Sequence, residues 1–221
     1  MLYFKNKPFK MLVVITLSLL YISVFTSCVF AEDVHGLSQN PFADISASDW
    51  FYDDVEYVWG NGLMAGVDET EFKPNDVLNR GMLVTILWRL ENSPKPTAEN
   101  VFTDLTEDWY RGAVLWADEH QIIFGYGDGV FGPEDSVTRE QLVTMLGRYA
   151  ETFKNADISS SANLAGYEDI TELSGWAHVY MSWARGTGII DGKNVSTLAP
   201  KDTATRAETA AALHRFLESV K

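Results

Sequence analysis

Cysteine and positive charge are the two features that this sequence has least of. It contains one cysteine, Cys28, in 221 residues, so no disulfide can form within the chain. Its 17 lysines and arginines are outnumbered by 31 aspartates and glutamates, which gives a formal net charge of -14. Because nucleic-acid binding relies on clustered cations, this balance argues against a nucleic-acid partner.

The sequence also lacks the residue patterns that catalysis and metal binding need. Its four histidines do not recur in register and show no zinc-like spacing. The glycine-rich run at 125–129 lacks both the Lys-Ser/Thr pair of a phosphate loop and the alternating carboxylates of a calcium loop, so we interpret it as a turn. We therefore expect no catalytic residue, no metal site and no cofactor.

Long hydrophobic runs are confined to the N-terminus. Three lysines precede an apolar run from Met11 to Phe25, and small residues lead to Ala31. The run is shorter than the roughly 20 residues that span a bilayer, so we predict that residues 1–31 are a signal peptide cleaved after Ala31. The alternative is lipidation at Cys28, although Phe25 fits a lipobox poorly. No membrane span is expected after signal removal.

One motif occurs three times in the rest of the sequence. Its tryptophan, glycine, proline and arginine recur 59 positions later and again 67 positions after that, without a gap. An aromatic-x-Asp element precedes each copy. The repeated positions are Trp50, Trp109 and Trp176; Gly66, Gly125 and Gly192; Pro74, Pro133 and Pro200; Arg80, Arg139 and Arg206; and Asp44, Asp104 and Asp169. We assign the repeats to residues 42–91, 101–153 and 166–219.

The residue pattern within each repeat predicts two helices joined by a loop. Asp49 can cap the first helix, which Gly60 and Gly62 are expected to end. The second helix is predicted to begin near Asn79, Thr138 or Thr205, where apolar residues adopt helical spacing. The fold class is mainly α. Because one repeat buries too little apolar surface alone, we expect a pseudo-threefold bundle with inter-repeat grooves, with a solenoid as the alternative.

The repeated arginines lie in the first turn of the second helix, where the helix dipole disfavours a cation. This position predicts a negative partner beside Arg80, Arg139 and Arg206. One interpretation is an ion pair with the repeated aspartates. The other is an anionic ligand held jointly by the guanidinium and the helix N-terminus.

The repeated aromatic and glycine residues also allow two interpretations. Burial in the core is favoured for the tryptophans and for Tyr57, Trp116 and Trp183, with stacking of some rings on a sugar as the alternative. We interpret the glycines as residues that allow the backbone conformation at the start of the loop. The alternative is that they let a ligand approach the backbone closely. We interpret Arg89, Arg148 and Arg215, deep in the second helix, as structural.

These motifs together resemble the S-layer homology domain. Its repeats carry an aromatic-x-Asp start, a tryptophan, a glycine-rich loop with Phe-x-Pro, and a Thr-Arg-Ala-Glu box opening the second helix. The third copy has this box intact from Thr205 to Glu208. The second copy ends the box in Gln141, and the first copy ends it in Met82.

The resemblance implies a noncovalent cell-wall anchor that binds a secondary cell-wall polysaccharide, often carrying ketal-linked pyruvate, in grooves between repeats. Pyruvate is a carboxylate and would supply the anion beside each helix-start arginine. The ligand-binding candidates are thus the repeated arginines, aspartates, tryptophans and first loop glycines. Since copies two and three keep most of the box, binding is expected to depend most on the grooves of Arg139 and Arg206.

The expected location is the bacterial cell wall or surface layer, after secretion. The expected partner is an anionic wall polysaccharide. The alternative function is that of a structural envelope protein, which acts by self-assembly or by docking other envelope proteins. No enzymatic activity is expected in either case.

Overall fold

The computed structural model describes residues 40–159 and 161–220, so the predicted targeting segment and Cys28 lie outside it. The described residues form helices and isolated β-bridges but no strand. The mainly α fold class is confirmed. The helices are α1 (Tyr52–Gly60), α2 (Arg80–Leu90), α3 (Asp108–Glu119), α4 (Arg139–Lys154), α5 (His178–Gly186) and α6 (Arg206–Ser219).

The second helix of each repeat begins where the sequence predicts. The N-cap residues are Asn79, Thr138 and Thr205. Each N-cap side chain accepts a hydrogen bond from the backbone amide three residues further on. In turn, the side chains of Gln141 and Glu208 accept a hydrogen bond from the N-cap amide, which completes a capping box in these two repeats. Met82 has no such acceptor, so the first repeat keeps half of the arrangement.

The start of the first helix is predicted less well. Asp49 is not its N-cap, because α1 begins at Tyr52 and Phe51 occupies the cap position without a side-chain bond. The Asp49 carboxylate instead accepts from the amide of Ser46 at 2.8 Å, and its carbonyl accepts from Tyr52 at 3.1 Å. Asp49 therefore closes the turn that precedes the helix. The helix ends at Gly60, as predicted.

A cycle of three backbone hydrogen bonds joins the repeats at the centre of the bundle. Leu78 N–H donates to Ala204 at 3.3 Å, Ala204 N–H to Val137 at 2.8 Å, and Val137 N–H to Leu78 at 2.8 Å. These three residues occupy equivalent positions in the repeats and are buried. Because the cycle returns from the third repeat to the first, the arrangement is a closed pseudo-threefold bundle and not a solenoid.

Helices pair between repeats more than within them. The second helix of each repeat packs on the first helix of the next, so α2 packs on α3, α4 on α5, and α6 on α1. The last pair closes the bundle, where the Tyr57 ring stacks on His214 with centroids 3.9 Å apart. The core also includes Trp116 and Trp183, as predicted, whereas Tyr57 is half-buried.

The expectation that the repeat tryptophans are core residues is wrong. Trp50, Trp109 and Trp176 are 64%, 44% and 50% exposed. They precede or open the first helix, and the apolar residues after them provide the buried face. The alternative interpretation, in which these rings line grooves, is the one that the geometry permits.

The repeated aspartates bind backbone amides of their own repeat. Asp44 accepts from Phe72 at 2.8 Å and from Lys73 at 2.7 Å. Asp104 and Asp169 bind the equivalent amides of the second and third repeats. The second amide of each pair belongs to a residue with positive φ, Lys73, Gly132 or Ala199. The carboxylate therefore stabilises a loop bend that a non-glycine residue adopts only at a cost.

Replacing Asp44 with alanine should destabilise the bundle, because the Phe72 and Lys73 amides lose their acceptor. We expect the free energy of unfolding to fall by about 2 kcal/mol. Urea unfolding followed by circular dichroism measures this. Glu69→Ala, at an exposed position in the same loop, is the matched control and should change stability by less than about 0.5 kcal/mol. Equal effects of the two substitutions would contradict the assigned role.

Candidate ligand grooves between the repeats

Each helix-start arginine reaches into the next repeat. Arg80 donates from Nε to the carbonyl of Phe131 at 3.0 Å and from Nη2 to that of Phe124 at 3.1 Å. These two carbonyls lie in the inter-helix loop, the segment between the first and second helices of a repeat. Arg139 binds the Leu198 and Asp191 carbonyls, and Arg206 binds those of Phe72 and Ala65, at equivalent loop positions.

The backbone amides beside each arginine are satisfied by the same loop. Arg80 N–H donates to the Asp135 carbonyl at 2.9 Å, and Gly81 N–H donates to the Pro133 carbonyl at 2.8 Å. The other two repeats make the same pair of bonds. The N-cap side chain takes the third amide, so the first turn has no free donors for a ligand. We predicted that the helix N-terminus and the guanidinium could hold an anion together. That prediction is wrong for the helix N-terminus, because its amides already donate to the loop and to the N-cap side chain.

The predicted ion pairs between the repeated arginines and aspartates are also wrong. The aspartates bind loop amides, and the arginines bind carbonyls of the same loops from the other side. Asp104 accepts from Phe131 N–H while Arg80 donates to Phe131 C=O. The sequence correctly indicates a need for negative partners, but backbone carbonyl oxygens meet that need.

The three guanidinium groups are buried, with Arg80, Arg139 and Arg206 only 3–7% exposed. Burial lowers the pKa of each group from its ordinary value, and nearby acidic groups partly oppose that shift. All three remain charged, because an arginine pKa lies far above neutral. Aromatic faces add to the stabilisation. Arg80 lies 4.4 Å from the Phe131 ring centroid, and Arg206 lies 4.5 Å from that of Phe72.

The third repeat has Leu198 where the other two repeats have this phenylalanine. Arg139 therefore has no equivalent ring face. It has instead a carboxylate, with Nη1 lying 3.6 Å from Glu208 Oε1.

Glycine recurs at the same loop position of each repeat for a steric reason. A Cβ added to Gly125 would lie 2.5 Å from the Val130 carbonyl oxygen and 2.9 Å from a ring carbon of Phe102. Equivalent clashes with loop carbonyls and the aromatic-x-Asp ring occur at Gly66 and Gly192. The loop closes too tightly for a side chain, which favours the backbone interpretation of these glycines.

Three grooves lie between the repeats, and we name each by its helix-start arginine. Every groove takes that arginine from one repeat, the inter-helix loop and second helix from the next, and a tryptophan from the remaining one. The Arg80, Arg139 and Arg206 grooves receive Trp176, Trp50 and Trp109 respectively. Their volumes are about 420, 270 and 160 Å³. Gly125, Gly192 and Gly66 also line them, whereas none of the repeated aspartates does.

Comparison with known protein families agrees with this architecture. The sequence profile of the S-layer homology domain matches residues 41–81, 101–143 and 166–210. The chain belongs to the S-layer homology family. The three matched segments together cover more than half of the chain, one in each repeat.

Relatives of the chain include both enzymes and anchoring proteins. It is 31% identical over 181 residues to an amylopullulanase of Thermoanaerobacterium thermosulfurigenes, covering 80% of this chain and 9% of that protein. It is 30% identical to exoglucanase XynX of Acetivibrio thermocellus, covering 80% and 16%. A cellulosome-anchoring protein of the same species is 26% identical, covering 76% and 39%. The chain thus spans less than half the length of each.

A second set of arginines, which the sequence analysis interpreted as structural, lines the S-layer homology grooves. Arg148, Arg215 and Arg89 line the Arg80, Arg139 and Arg206 grooves. Each follows the helix-start arginine of its own repeat by nine residues, which is two and a half helical turns. The two arginines of one helix therefore lie on opposite faces and contribute to different grooves.

The same geometry divides the Thr-Arg-Ala-Glu box between two grooves. Its fourth residue follows the arginine by two positions and faces away from it. Gln141 thus lies in the Arg80 groove, Glu208 in the Arg139 groove, and Met82 in the Arg206 groove. The expectation that binding depends most on the Arg139 and Arg206 grooves was based on the second and third copies keeping most of the box. That basis does not hold for the Arg206 groove, because this groove receives Met82, the most divergent of the three box residues.

The charges of the three grooves differ accordingly. In the Arg80 groove, Arg148 lies over the Phe124 ring at 4.4 Å, and none of the described residues that line this groove is an aspartate or a glutamate. In the Arg139 groove, Arg215 pairs with Asp191 at 3.0 Å. Its Lys193 also pairs with Glu208. The Arg206 groove is the smallest of the three, and Met82 and Arg89 line it at the positions of Gln141 and Arg148.

Within residues 40–159 and 161–220, none of the helices has the length and hydropathy needed to cross a bilayer. No three His, Cys, Asp or Glu side chains in those ranges converge as metal ligands do. The absence of a catalytic residue and of a cofactor stays a prediction.

We expect Arg206→Ala to destabilise the S-layer homology bundle by about 3 kcal/mol, because two carbonyls of the first repeat lose charged donors. Differential scanning calorimetry or urea unfolding measures the loss. Arg89→Ala removes the exposed arginine of the same groove and should leave stability within about 0.5 kcal/mol of the unmodified chain. A stable Arg206→Ala chain would show that the guanidinium does not hold the loop.

Proposed function

We propose that this chain attaches noncovalently to the bacterial cell wall by binding an anionic wall polysaccharide, chiefly in the Arg80 groove. The chain is a cell-surface protein, in agreement with the predicted location, and its family is one of surface anchoring. Its relatives include an S-layer protein of Bacillus thuringiensis, 26% identical over 170 residues. The polysaccharide and the choice of groove are the parts that we propose.

The observation that carries the proposal is the pairing of cations with exposed aromatic rings in the largest groove. Arg148 lies over Phe124, and Arg80 lies 4.7 Å from the Tyr126 ring centroid. Phe124, Tyr126 and Trp176 are 56%, 55% and 50% exposed. A cluster of exposed apolar side chains on a soluble domain marks a surface at which a ligand or partner binds.

Such a groove suits a sugar that carries a carboxylate. Flat apolar sugar faces pack on aromatic rings, and a planar guanidinium binds a carboxylate through two parallel hydrogen bonds. A ketal-linked pyruvate carries its carboxylate on a carbon that is joined to the sugar through two oxygens, so one residue presents both a sugar face and a carboxylate and meets both requirements. Because Arg80 already donates its hydrogen bonds to two loop carbonyls, we assign the binding of the anion to Arg148. Arg80, buried in the wall of the groove, adds positive charge beside the ligand.

Gln141 adds a hydrogen-bonding side chain to the same wall. An uncharged amide can bind hydroxyl groups of a sugar without repelling its carboxylate. We therefore propose that Gln141 orients the sugar while Arg148 binds its charge.

The enzyme relatives do not extend an activity to this chain. The amylopullulanase and the exoglucanase share only a small fraction of their length with it, the same segment that the anchoring protein shares. We propose that this shared segment binds the wall in each case and that the present chain has no catalytic role.

Arg148→Ala should weaken binding to purified cell walls by at least about tenfold, because it removes the charged partner of the carboxylate. Co-sedimentation of the chain with walls, at a series of protein concentrations, measures the affinity. Arg89→Ala is the matched control: it alters the equivalent position of the smallest groove and should retain most of the binding.

Walls stripped of their polysaccharide distinguish the two function classes. The proposed function predicts that stripped walls no longer bind the unmodified chain. Undiminished binding to stripped walls, with Arg148→Ala binding as well as the unmodified chain, would favour self-assembly or protein docking instead. Circular dichroism of both variants confirms that they are folded.

A further inference from the structure

The Arg80 and Arg139 grooves are built alike but differ at five wall positions. Where the first has Phe124, Tyr126 and Gln141, the second has Asp191, Lys193 and Glu208, and each of these differences replaces an uncharged side chain by a charged one. The other two differences, Thr144 to Ala211 and Met145 to Ala212, shorten an uncharged side chain. The helix-start arginine, the loop glycine, the second arginine and the tryptophan are present in both grooves. The charge of the Arg139 groove can therefore be compared with that of the Arg80 groove on a common framework.

Glu208 is already bound by the cations of its groove. Its Oε1 accepts from Lys193 Nζ and lies 3.6 Å from Arg139 Nη1, and its side chain is only 16% exposed. Burial acts to raise its pKa, but the Lys193 and Thr205 hydrogen bonds and the Arg139 charge lower the pKa overall. Glu208 is thus a carboxylate at neutral pH, and it lies beside the groups that would attract a carboxylate ligand.

Asp191 neutralises the remaining cation of this groove. Its carboxylate lies 3.0 Å from Arg215 and 3.3 Å from Arg185. An incoming anion would meet two carboxylates in the Arg139 groove, and each cation there has an internal partner. In the Arg80 groove, the equivalent of Arg215 is Arg148, which faces an aromatic ring instead.

We propose that Glu208 acts as an internal substitute for the ligand carboxylate and excludes anionic saccharides from the Arg139 groove. This inference rests on the proposed function and assigns the difference between these two grooves to the fourth residue of the box that lines each. In this chain Glu208, held by Lys193 and Arg139, neutralises the Arg139 groove, whereas the uncharged Gln141 leaves Arg148 of the Arg80 groove available. The chain therefore has three grooves but binds an anionic saccharide in fewer than three of them.

The fold itself supplies a matched pair of substitutions. Gln141 and Glu208 make the same capping box, accepting from Thr138 N–H at 3.2 Å and from Thr205 N–H at 3.1 Å. Exchanging glutamine and glutamate at these positions therefore keeps the cap and the side-chain volume. Glu208→Gln should open the Arg139 groove to an anion, and Gln141→Glu should close the Arg80 groove.

Isothermal titration calorimetry of the full chain with a monosaccharide carrying ketal-linked pyruvate tests the inference. Glu208→Gln should bind one more equivalent of the saccharide than the unmodified chain. Gln141→Glu should bind one fewer, or bind at that groove about tenfold more weakly because a like charge faces the ligand. The methyl ester of the same saccharide is the uncharged control and should not distinguish the variants.

The outcomes separate this inference from the proposed function. An unmodified chain that binds the saccharide, with the same stoichiometry in Glu208→Gln, would overturn the role of Glu208 alone. An unmodified chain and a Glu208→Gln variant that both fail to bind it would overturn the proposed ligand class as well. Thermal unfolding at the same pH shows whether each variant retains the fold.

Discussion

The buried arginine at the start of each second helix is the interaction on which the rest of the molecule depends. Its guanidinium binds carbonyls at two points of the next repeat's inter-helix loop, and the adjacent backbone amides bind the same loop. The aspartate of that next repeat holds the loop from the opposite side. The three repeats are thereby joined in a cycle, from Arg80 through Arg139 and Arg206 back to the first repeat.

This cycle also creates the grooves and makes them unequal. Each groove combines residues of all three repeats, so a ligand that fits one of them also bridges the repeats. The helix-start arginines are occupied by structural bonds, which leaves recognition to the residues around them. Substitutions such as Gln141 against Glu208 can therefore change the charge of one groove while the shared framework stays intact.

The sequence predicts much of this architecture because the repeats keep their spacing. Second-helix starts, the loop between helices, the closed threefold arrangement and the family follow from aligned residues such as Thr205 and Arg206. The failures have a common cause. The partners of the arginines are backbone carbonyls of another repeat, and carbonyls leave no mark in a sequence. The exposure of Trp50, Trp109 and Trp176 likewise depends on which face each helix presents to its neighbour.

One failure was avoidable with helical geometry alone. Residues two or nine positions apart on a helix face opposite sides, so Arg139 and Gln141 cannot line one groove, nor can Arg139 and Arg148. Applying this rule to the box would have indicated that each groove draws on two boxes. It would also have moved the second arginine of each helix from the structural to the candidate binding residues.

A crystal structure of the chain with a pyruvylated wall saccharide tests the central claim most directly. The account predicts the sugar in the Arg80 groove, with its carboxylate on Arg148 and a ring against Trp176, while Arg80 keeps its bonds to the loop carbonyls. A saccharide bound in the Arg139 groove alone, or one that draws Arg80 away from Phe124 and Phe131, would contradict it.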